Sequence, residues 1–461
     1  MRFPSRAGRT RGEELAFLNV SSIPSRRALL VAVLASWPAI LIGCSEESPV
    51  GVGDQVLPGE PVTIEVKIPW SQFASNLETF GGYGRTTDLQ EGVLARQYQS
   101  ALDARTLLRF QAYPISATVR DSTGTERPDF DLTFFGGELV TFFDGEASTN
   151  GGTPVQLAVS RTETEWHAGS ATWDFAVDTI NDRRPWPEPG AGPAAVVDTT
   201  LWTPADGDSA IFRIDSATIA AWSDTTDRSM GALLEVLDPG YRLGLTGALL
   251  RLNTRPGSNP DTIIQVESRI SAVTFVYTPT PAAPADGARI GGSPSWRTLL
   301  DVQIPAQLNG FPDFCAVVSC PHALAPIEIS YAALVFTSRA SEPAFQPSDS
   351  LRLDVRPVYD RSAMPKSPLG ESLVAGGIGR AVDPAVFGPA PGALIEIPFT
   401  TFARDLLRGE DEDGNEPPGT LALLSVLEPF SIAYGSFEGP GSGAEPYLRL
   451  VLTIGPPVEL P

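Results

Sequence analysis

The sequence predicts an all-β protein built as two tandem antiparallel β-sandwich domains of jelly-roll type. Three observations carry that expectation. The chain holds 43 Gly and 43 Pro in 461 residues without any collagen-like period, and 42% of it is hydrophobic. Frequent turns combined with ordinary apolar content describe many short strands. Apolar runs of four to eight residues with alternation, such as Val155–Val159 and Leu351–Val355, are separated by turn clusters such as Thr149-Asn-Gly-Gly-Thr-Pro154, the pattern of half-buried strands. Finally, four markers repeat in the same order. Arg105-Thr-Leu-Leu recurs as Arg297-Thr-Leu-Leu, Leu139-Val140 as Leu334-Val335, Val155–Val159 as Leu351–Val355, and Ala232-Leu-Leu as Ala422-Leu-Leu, each 190 to 196 residues later. A nearly constant offset through ordered markers indicates duplication of one unit, with the closing strands, Val273–Thr278 and Leu448–Thr453, 175 apart because the first copy carries extra loop residues.

The elements follow in order. Ser25-Arg26-Arg27 precedes an apolar run, Ala28–Ile42, that ends Leu41-Ile42-Gly43-Cys44. A basic start, an apolar stretch too short to span a bilayer and a small residue before the cut predict a secretory signal over 1–43. With cysteine at the cut, the segment resembles a bacterial lipoprotein signal peptide. That resemblance implies acylation of Cys44 as the first residue of the mature protein. Ser45 after it implies an outer-membrane destination, the acidic pair Glu46-Glu47 resembles some surface-export signals, and the two arginines leave Sec and twin-arginine export both open. Residues 44–61 read as a flexible tether, since acyl chains hold a protein at the bilayer through roughly 0.8 kcal/mol per buried CH₂. The first sandwich is placed at 62–278. A proline-rich linker, 279–288, follows, because Thr278-Pro-Thr-Pro-Ala-Ala-Pro284 cannot join a ladder. The second sandwich is placed at 289–457. One short helix is expected in each, capped by Asp215-Ser216 and by Thr400-Thr401.

The order of elements in the first unit points to a family. Gly81-Gly-Tyr-Gly84 precedes Arg105-Thr-Leu-Leu-Arg-Phe110; then come Trp166-His-Ala-Gly-Ser-Ala-Thr-Trp173, Phe212-Arg-Ile-Asp-Ser-Ala-Thr-Ile-Ala-Ala-Trp222 and Gly231-Ala-Leu-Leu234. This arrangement resembles the DNRLRE-type domains of secreted and surface bacterial proteins. The resemblance covers most of 62–278 and, more loosely, 289–455, and it implies β-sandwiches related to carbohydrate-binding modules. The second unit departs from it: Val358-Tyr-Asp-Arg-Ser362 replaces the Trp-to-Trp segment, and Phe402 stands where the helical turn would carry Trp. The motif that names the family is absent.

Charge narrows the function. Net charge is −22 overall, and beyond Cys44 there are 27 basic against 53 acidic residues. Such a surface repels nucleic acid, and no nucleic-acid partner is expected. Cys315 and Cys320 form an even pair in an exported chain and predict a disulfide; zinc through the adjacent His322 lacks ligands, since His167 is the one other histidine. No cofactor or metal is expected. Glu410-Asp-Glu-Asp-Gly-Asn-Glu416 opens like an EF-hand at Asp411, but Ala422 occupies the twelfth position. That motif is rejected, and a looser calcium site at Asp411, Asp413 and Asn415 stands behind a plain acidic turn. No catalytic motif is present, and the chain is expected not to be an enzyme. Trp166, Trp173 and Trp222 lie in strand or turn frames and are assigned to the core. Trp186, in the proline-stiffened loop Asn181–Pro189, is expected to form a contact surface with Arg183 and Arg184, and Trp202 is a second candidate. The expected function is a lipid-anchored envelope protein, at the outer membrane or cell surface, that binds carbohydrate or extracellular matrix. The alternatives are an assembly protein contacting another envelope protein and a glycan-active enzyme.

Overall fold

A computed structural model describes residues 61–455, apart from 82, 83, 90, 121, 122, 375 and 430. The signal segment, Cys44 and the tether up to residue 60 lie outside the described residues.

The described chain opens with β1 (Val62–Pro69), a one-turn helix α1 (Trp70–Phe73) and β2 (Ala74–Phe80). Then follow β3 (Gly92–Tyr98), β4 (Leu102–Phe110), the hairpin β5 (Ala117–Arg120) and β6 (Glu126–Asp129), β7 (Leu132–Asp144) and β8 (Val155–Arg161). A second hairpin, β9 (Phe175–Thr179) and β10 (Asp182–Pro185), precedes β11 (Ala195–Trp202), β12 (Ser209–Ile214), α2 (Ser216–Ser223), β13 (Ala232–Val236), β14 (Tyr241–Pro256) and β15 (Ile264–Tyr277). The later half holds β16 (Gly287–Gly291), β17 (Arg297–Val302), β18 (Gln307–Leu308), α3 (Pro312–Cys315), β19 (His322–Ala323), β20 (Ile329–Arg339), β21 (Leu351–Pro357) and β22 (Arg380–Val382). It closes with β23 (Leu394–Pro398), α4 (Thr400–Arg408), β24 (Thr420–Ser425), β25 (Tyr434–Glu438) and β26 (Tyr447–Ile454).

The protein is all-β, and every pairing between its strands is antiparallel. Two sheet systems form. In the first, the order is β11-β8-β13-β4-β15-β14-β7-β12, with β3 joined to β14 and β4. Its two edges approach each other, and the Arg213 N–H donates to Asp198 Oδ2 at 2.6 Å. The sheet thus wraps a core that includes Leu108, Leu139, Leu157, Trp202, Phe212 and Leu250. The second system is a sandwich. One sheet runs β1-β26-β20-β25-β16, with β23 on β20, and the other runs β2-β17-β24-β21-β22. Ile68, Phe73, Leu300, Leu334, Phe437 and Leu450 fill the space between them. Alternation specifies these faces: in β12 Ala210, Phe212 and Ile214 are buried while Ile211 and Arg213 are exposed.

The repeated sequence markers fall on equivalent strands. The order β8-β13-β4 in the first system matches β21-β24-β17 in the second. Likewise β12 pairs with β7 as β23 pairs with β20, and β14 pairs with β7 as β25 pairs with β20. A helix follows β12 and another follows β23. Asp215 caps α2 as expected, its carboxylate accepting the Thr218 N–H at 2.7 Å. Thr400 does not cap α4; its hydroxyl accepts the Ala332 N–H of β20 instead.

The expected boundary at residue 62 is corrected by the pairing. Strands β1 and β2, assigned from the sequence to the first sandwich, belong to the second: Val62 lies opposite Ile454, and Ala74 opposite Val302. Trp70 moves with them into the second core. The contiguous first system, from β3 to β15, is therefore inserted between β2 and β16, and Glu60–Pro456 forms one compact unit without a division at the prolines. The two systems meet through a shared apolar cluster in which Val93, Ala95, Leu102, Ala104 and Phe275 pack with Phe345, Ile432 and Tyr434. Gly81 is required where the chain crosses, because a Cβ there would lie 2.3 Å from the Trp296 ring. Tyr277 Oη and Ser293 Oγ, 2.7 Å apart, join the second crossing.

Candidate functional site

In β4 the alternation sends Thr106, Leu108 and Phe110 inward and Arg105, Leu107 and Arg109 to the outer face. The segment between β8 and β11 folds across that face. There Leu107, Leu233 and Val276 of the sheet pack against Trp166, Ala176 and Trp186. The Arg109 guanidinium sits 4.1 Å from the centre of the Trp166 ring and donates to the Trp166 carbonyl at 3.1 Å. Burial holds its pKa below the usual arginine value.

This packing changes the expected site. Trp186 is 4% exposed and Trp202 2%. The Trp186 indole N–H donates to the Thr172 carbonyl at 2.9 Å, so its loop is stapled to the sheet and offers no aromatic face. Trp202 packs against Phe143 in the first core with the rings tilted by 39°, its N–H donating to Gly207 O. Prolines stiffened the Trp186 loop, as the sequence suggested, but toward the protein. Arg183 and Arg184 remain on the exposed strand β10 and are engaged in ion pairs: Arg183 with Asp178 and Arg184 with Asp182 on the hairpin, and Arg184 also with Glu165 before it. Trp166 and Trp222 are core residues, as expected.

Trp173, assigned to the core, is instead half-buried and borders a surface cleft of about 260 Å³. Arg96, Gln97, Asp103, Arg105 and Glu235 supply its polar lining. Arg105 is its strut. Its Nε pairs with Glu235 Oε1 at 2.9 Å, its Nη1 donates to Gly190 O at 2.7 Å, and its guanidinium lies 5.5 Å from the Trp173 ring. Gly190 has φ +79°, and a Cβ there would stand 2.7 Å from the Trp173 ring; only glycine lets the loop close on the indole. Across the cleft the Gln97 N–H donates to Asp103 Oδ1 at 2.9 Å. Arg96 is exposed and makes no ion pair or side-chain hydrogen bond among the described residues. The result is an indole held by a fixed arginine, with a free guanidinium and carboxylate oxygens around it. The sequence signal for it was an arginine repeated at the same place in both Arg-Thr-Leu-Leu runs, Arg105 and Arg297.

The equivalent place in the second system is closed. Arg297 repeats Arg105 and pairs with Glu428 at 2.8 Å, but both side chains are buried. Val358, Met364 and Leu369 pack there with Leu299 and Phe80. That segment occupies the position of the missing Trp-to-Trp segment.

Cys315 and Cys320 are joined as a disulfide, with their Cα atoms 5.4 Å apart. His322 Nε2 lies 3.0 Å from Glu328 Oε2. In the acidic turn Asp411 Oδ1 accepts the N–H groups of Asp413 and Asn415, so the carboxylate is turned onto its own loop. Among the described residues no group of three or more His, Cys, Asp or Glu side chains could hold a metal ion, and no helix is long and apolar enough to cross a membrane.

No known family and no curated protein matches the chain. The likeness to DNRLRE-type domains therefore rests on the motifs quoted above.

Proposed function

We propose that this chain is a non-catalytic, lipid-anchored envelope protein that binds carbohydrate or extracellular matrix through the Trp173 cleft. The observation that carries the proposal is the half-exposed Trp173 indole, fixed by Arg105 and Gly190 beside polar groups. Sugar rings stack on flat aromatic faces, and a few oriented polar groups then select among their hydroxyls. Trp173→Ala should weaken binding to a retained polysaccharide by about tenfold or more, roughly 1.4 kcal/mol per decade, in affinity electrophoresis against a glycan panel. Trp173→Phe should retain part of it. Equal retardation of the wild type and the alanine variant would remove the cleft from consideration.

A second reading, assembly with another envelope protein, draws on Phe142, Val196, Leu201 and Ile211, which are exposed on strands at and beside the two meeting edges of the first sheet. Retention on no glycan, with one envelope protein co-purifying, would favour it. The anchor has its own test. Cys44→Ser should abolish the acyl mass on the mature chain and release the protein into soluble fractions. An unchanged membrane fraction would refute lipid anchoring.

A further inference from the structure

The wall of the Trp173 cleft is thin where it meets the second sheet system. Ala95 and Ala104 lie opposite each other on β3 and β4, and both line the cleft. Both also belong to the apolar cluster that joins the two systems, where they pack with Phe345, Ile432 and Tyr434. Each contributes a single methyl group, so a shift of the residues behind them passes to the cleft with little side chain to absorb it. The β3–β4 turn beside them is strained. Gln97, another lining residue, has φ +46°, and Gln99 and Ser100 follow at +50° and +60°. Residues other than glycine keep such conformations only where surrounding contacts hold them. Two holds act here: Asp103 Oδ1 accepts the Gln97 N–H at 2.9 Å, and Tyr98 packs against the junction cluster.

Tyr434 is held on three sides within that cluster. Its ring stacks on Phe345 with centres 5.7 Å apart, and its hydroxyl donates to the Glu342 carboxylate. The Arg289 guanidinium lies 4.0 Å from the ring centre, with Nη2 3.6 Å from Glu342 Oε1. Arg289 also donates to the carbonyl of Pro281 in the proline-rich segment. Three residues before Pro281, the Thr278 N–H donates to Asp103 O at 2.9 Å, and the Thr278 hydroxyl accepts the Asp103 N–H at 3.1 Å. The second system thus reaches the cleft twice, behind its alanines and through the proline-rich segment to Asp103. We infer that Tyr434 is a positioning residue for the Trp173 cleft, and that the second sheet system is the support that sets the cleft's shape. The effect on ligand rests on the carbohydrate reading above. The copy whose own Arg297 place is closed then braces the one that is open.

The test compares variants of the full chain by two readouts. Tyr434→Leu should raise hydrogen exchange at the Gln97 and Asp103 amides about tenfold or more, read by mass spectrometry of the β3–β4 peptide. The same variant should weaken polysaccharide retention about fivefold. Exchange at Leu139 and Leu157, in the first core, should stay as in the wild type. Tyr434→Phe keeps the ring behind the alanines and should hold both readouts within about twofold of the wild type. Should Tyr434→Leu fail to fold, Phe345→Leu disturbs the same cluster more gently and is read in the same way. Unchanged exchange at Gln97 and Asp103 in a folded variant overturns the inference, and so does raised exchange with retention equal to the wild type. If the wild type is retained on no polysaccharide, the carbohydrate reading falls, and exchange by itself decides whether the second system sets the cleft.

Discussion

Arg297→Met should lower the unfolding free energy by about 3–5 kcal/mol at pH 8, the usual consequence of stranding one member of a buried ion pair. Glu428 has a side chain only 5% exposed, and its Oε2 accepts from Arg297 Nε at 2.8 Å. Methionine fills comparable space and removes the cation. The size of the effect depends on pH in a defined direction. Burial pushes the Glu428 carboxyl up to about 7, against the pull of Arg297. The folded protein therefore keeps a proton that the unfolded chain, with an ordinary value of 4.5, has already released. Between pH 4.5 and 7 this residue's contribution falls as pH rises, because the native state binds more protons than the unfolded one. At pH 5 the carboxyl is protonated and neutral, so the loss of Arg297 should cost markedly less than at pH 8. Urea melts of both proteins at the two pH values decide the matter. An equal penalty at both would mean that Glu428 does not change its charge between them.

Trp202→Ala should be as damaging, about 3–5 kcal/mol, the cost of emptying a large aromatic site in a packed core. The indole is 2% exposed, its ring centre is 4.6 Å from that of Phe143, and its N–H is satisfied by Gly207 O at 3.0 Å. Truncation leaves a cavity at the end of β11 and takes the indole donor from the Gly207 carbonyl just before β12, where the rolled sheet brings its edges together. Trp202→Phe should recover most of the packing while losing the hydrogen bond, a difference of about 1 kcal/mol. The Trp173 variant is its counterpart. Alanine at the half-buried position should alter ligand retention with a far smaller shift in the denaturation midpoint, and the pair of measurements separates a core tryptophan from a binding one.

The sequence made the strands legible because alternation is local: β12 and β26 bury every second residue or nearly so. The duplication was legible for the same reason, since the Arg-Thr-Leu-Leu and Ala-Leu-Leu runs are both strands and neighbours in each sheet system. What escaped was non-local. Nothing within Val62–Pro69 reveals that its partner is Tyr447–Ile454, so proximity in sequence placed it with the wrong sandwich. The tryptophans were misjudged by the same mechanism. Trp186 looks exposed because its neighbours are Pro, Arg and Asp, yet the loop folds back on an outer sheet face that Leu107 and Leu233 make apolar. Trp173 looks like core because it sits in a strand-turn frame, but the loop closes on it at Gly190 and leaves the rest of it half-buried at the cleft edge.

The interleaved connectivity has a consequence for how the chain is made. Everything from β3 to β15 is contiguous, so the first sheet system can complete its hydrogen-bonded ladders as soon as Tyr277 has emerged. The second system cannot: β1, the first of the described strands, pairs with β26, the last of them. Its apolar residues Val66 and Ile68 must wait for nearly the whole polypeptide, a closure across a very long loop that slows assembly and exposes an unpaired edge meanwhile. Removing Tyr447–Ile454 should therefore leave the first sheet system folded while leaving β1 without its partner.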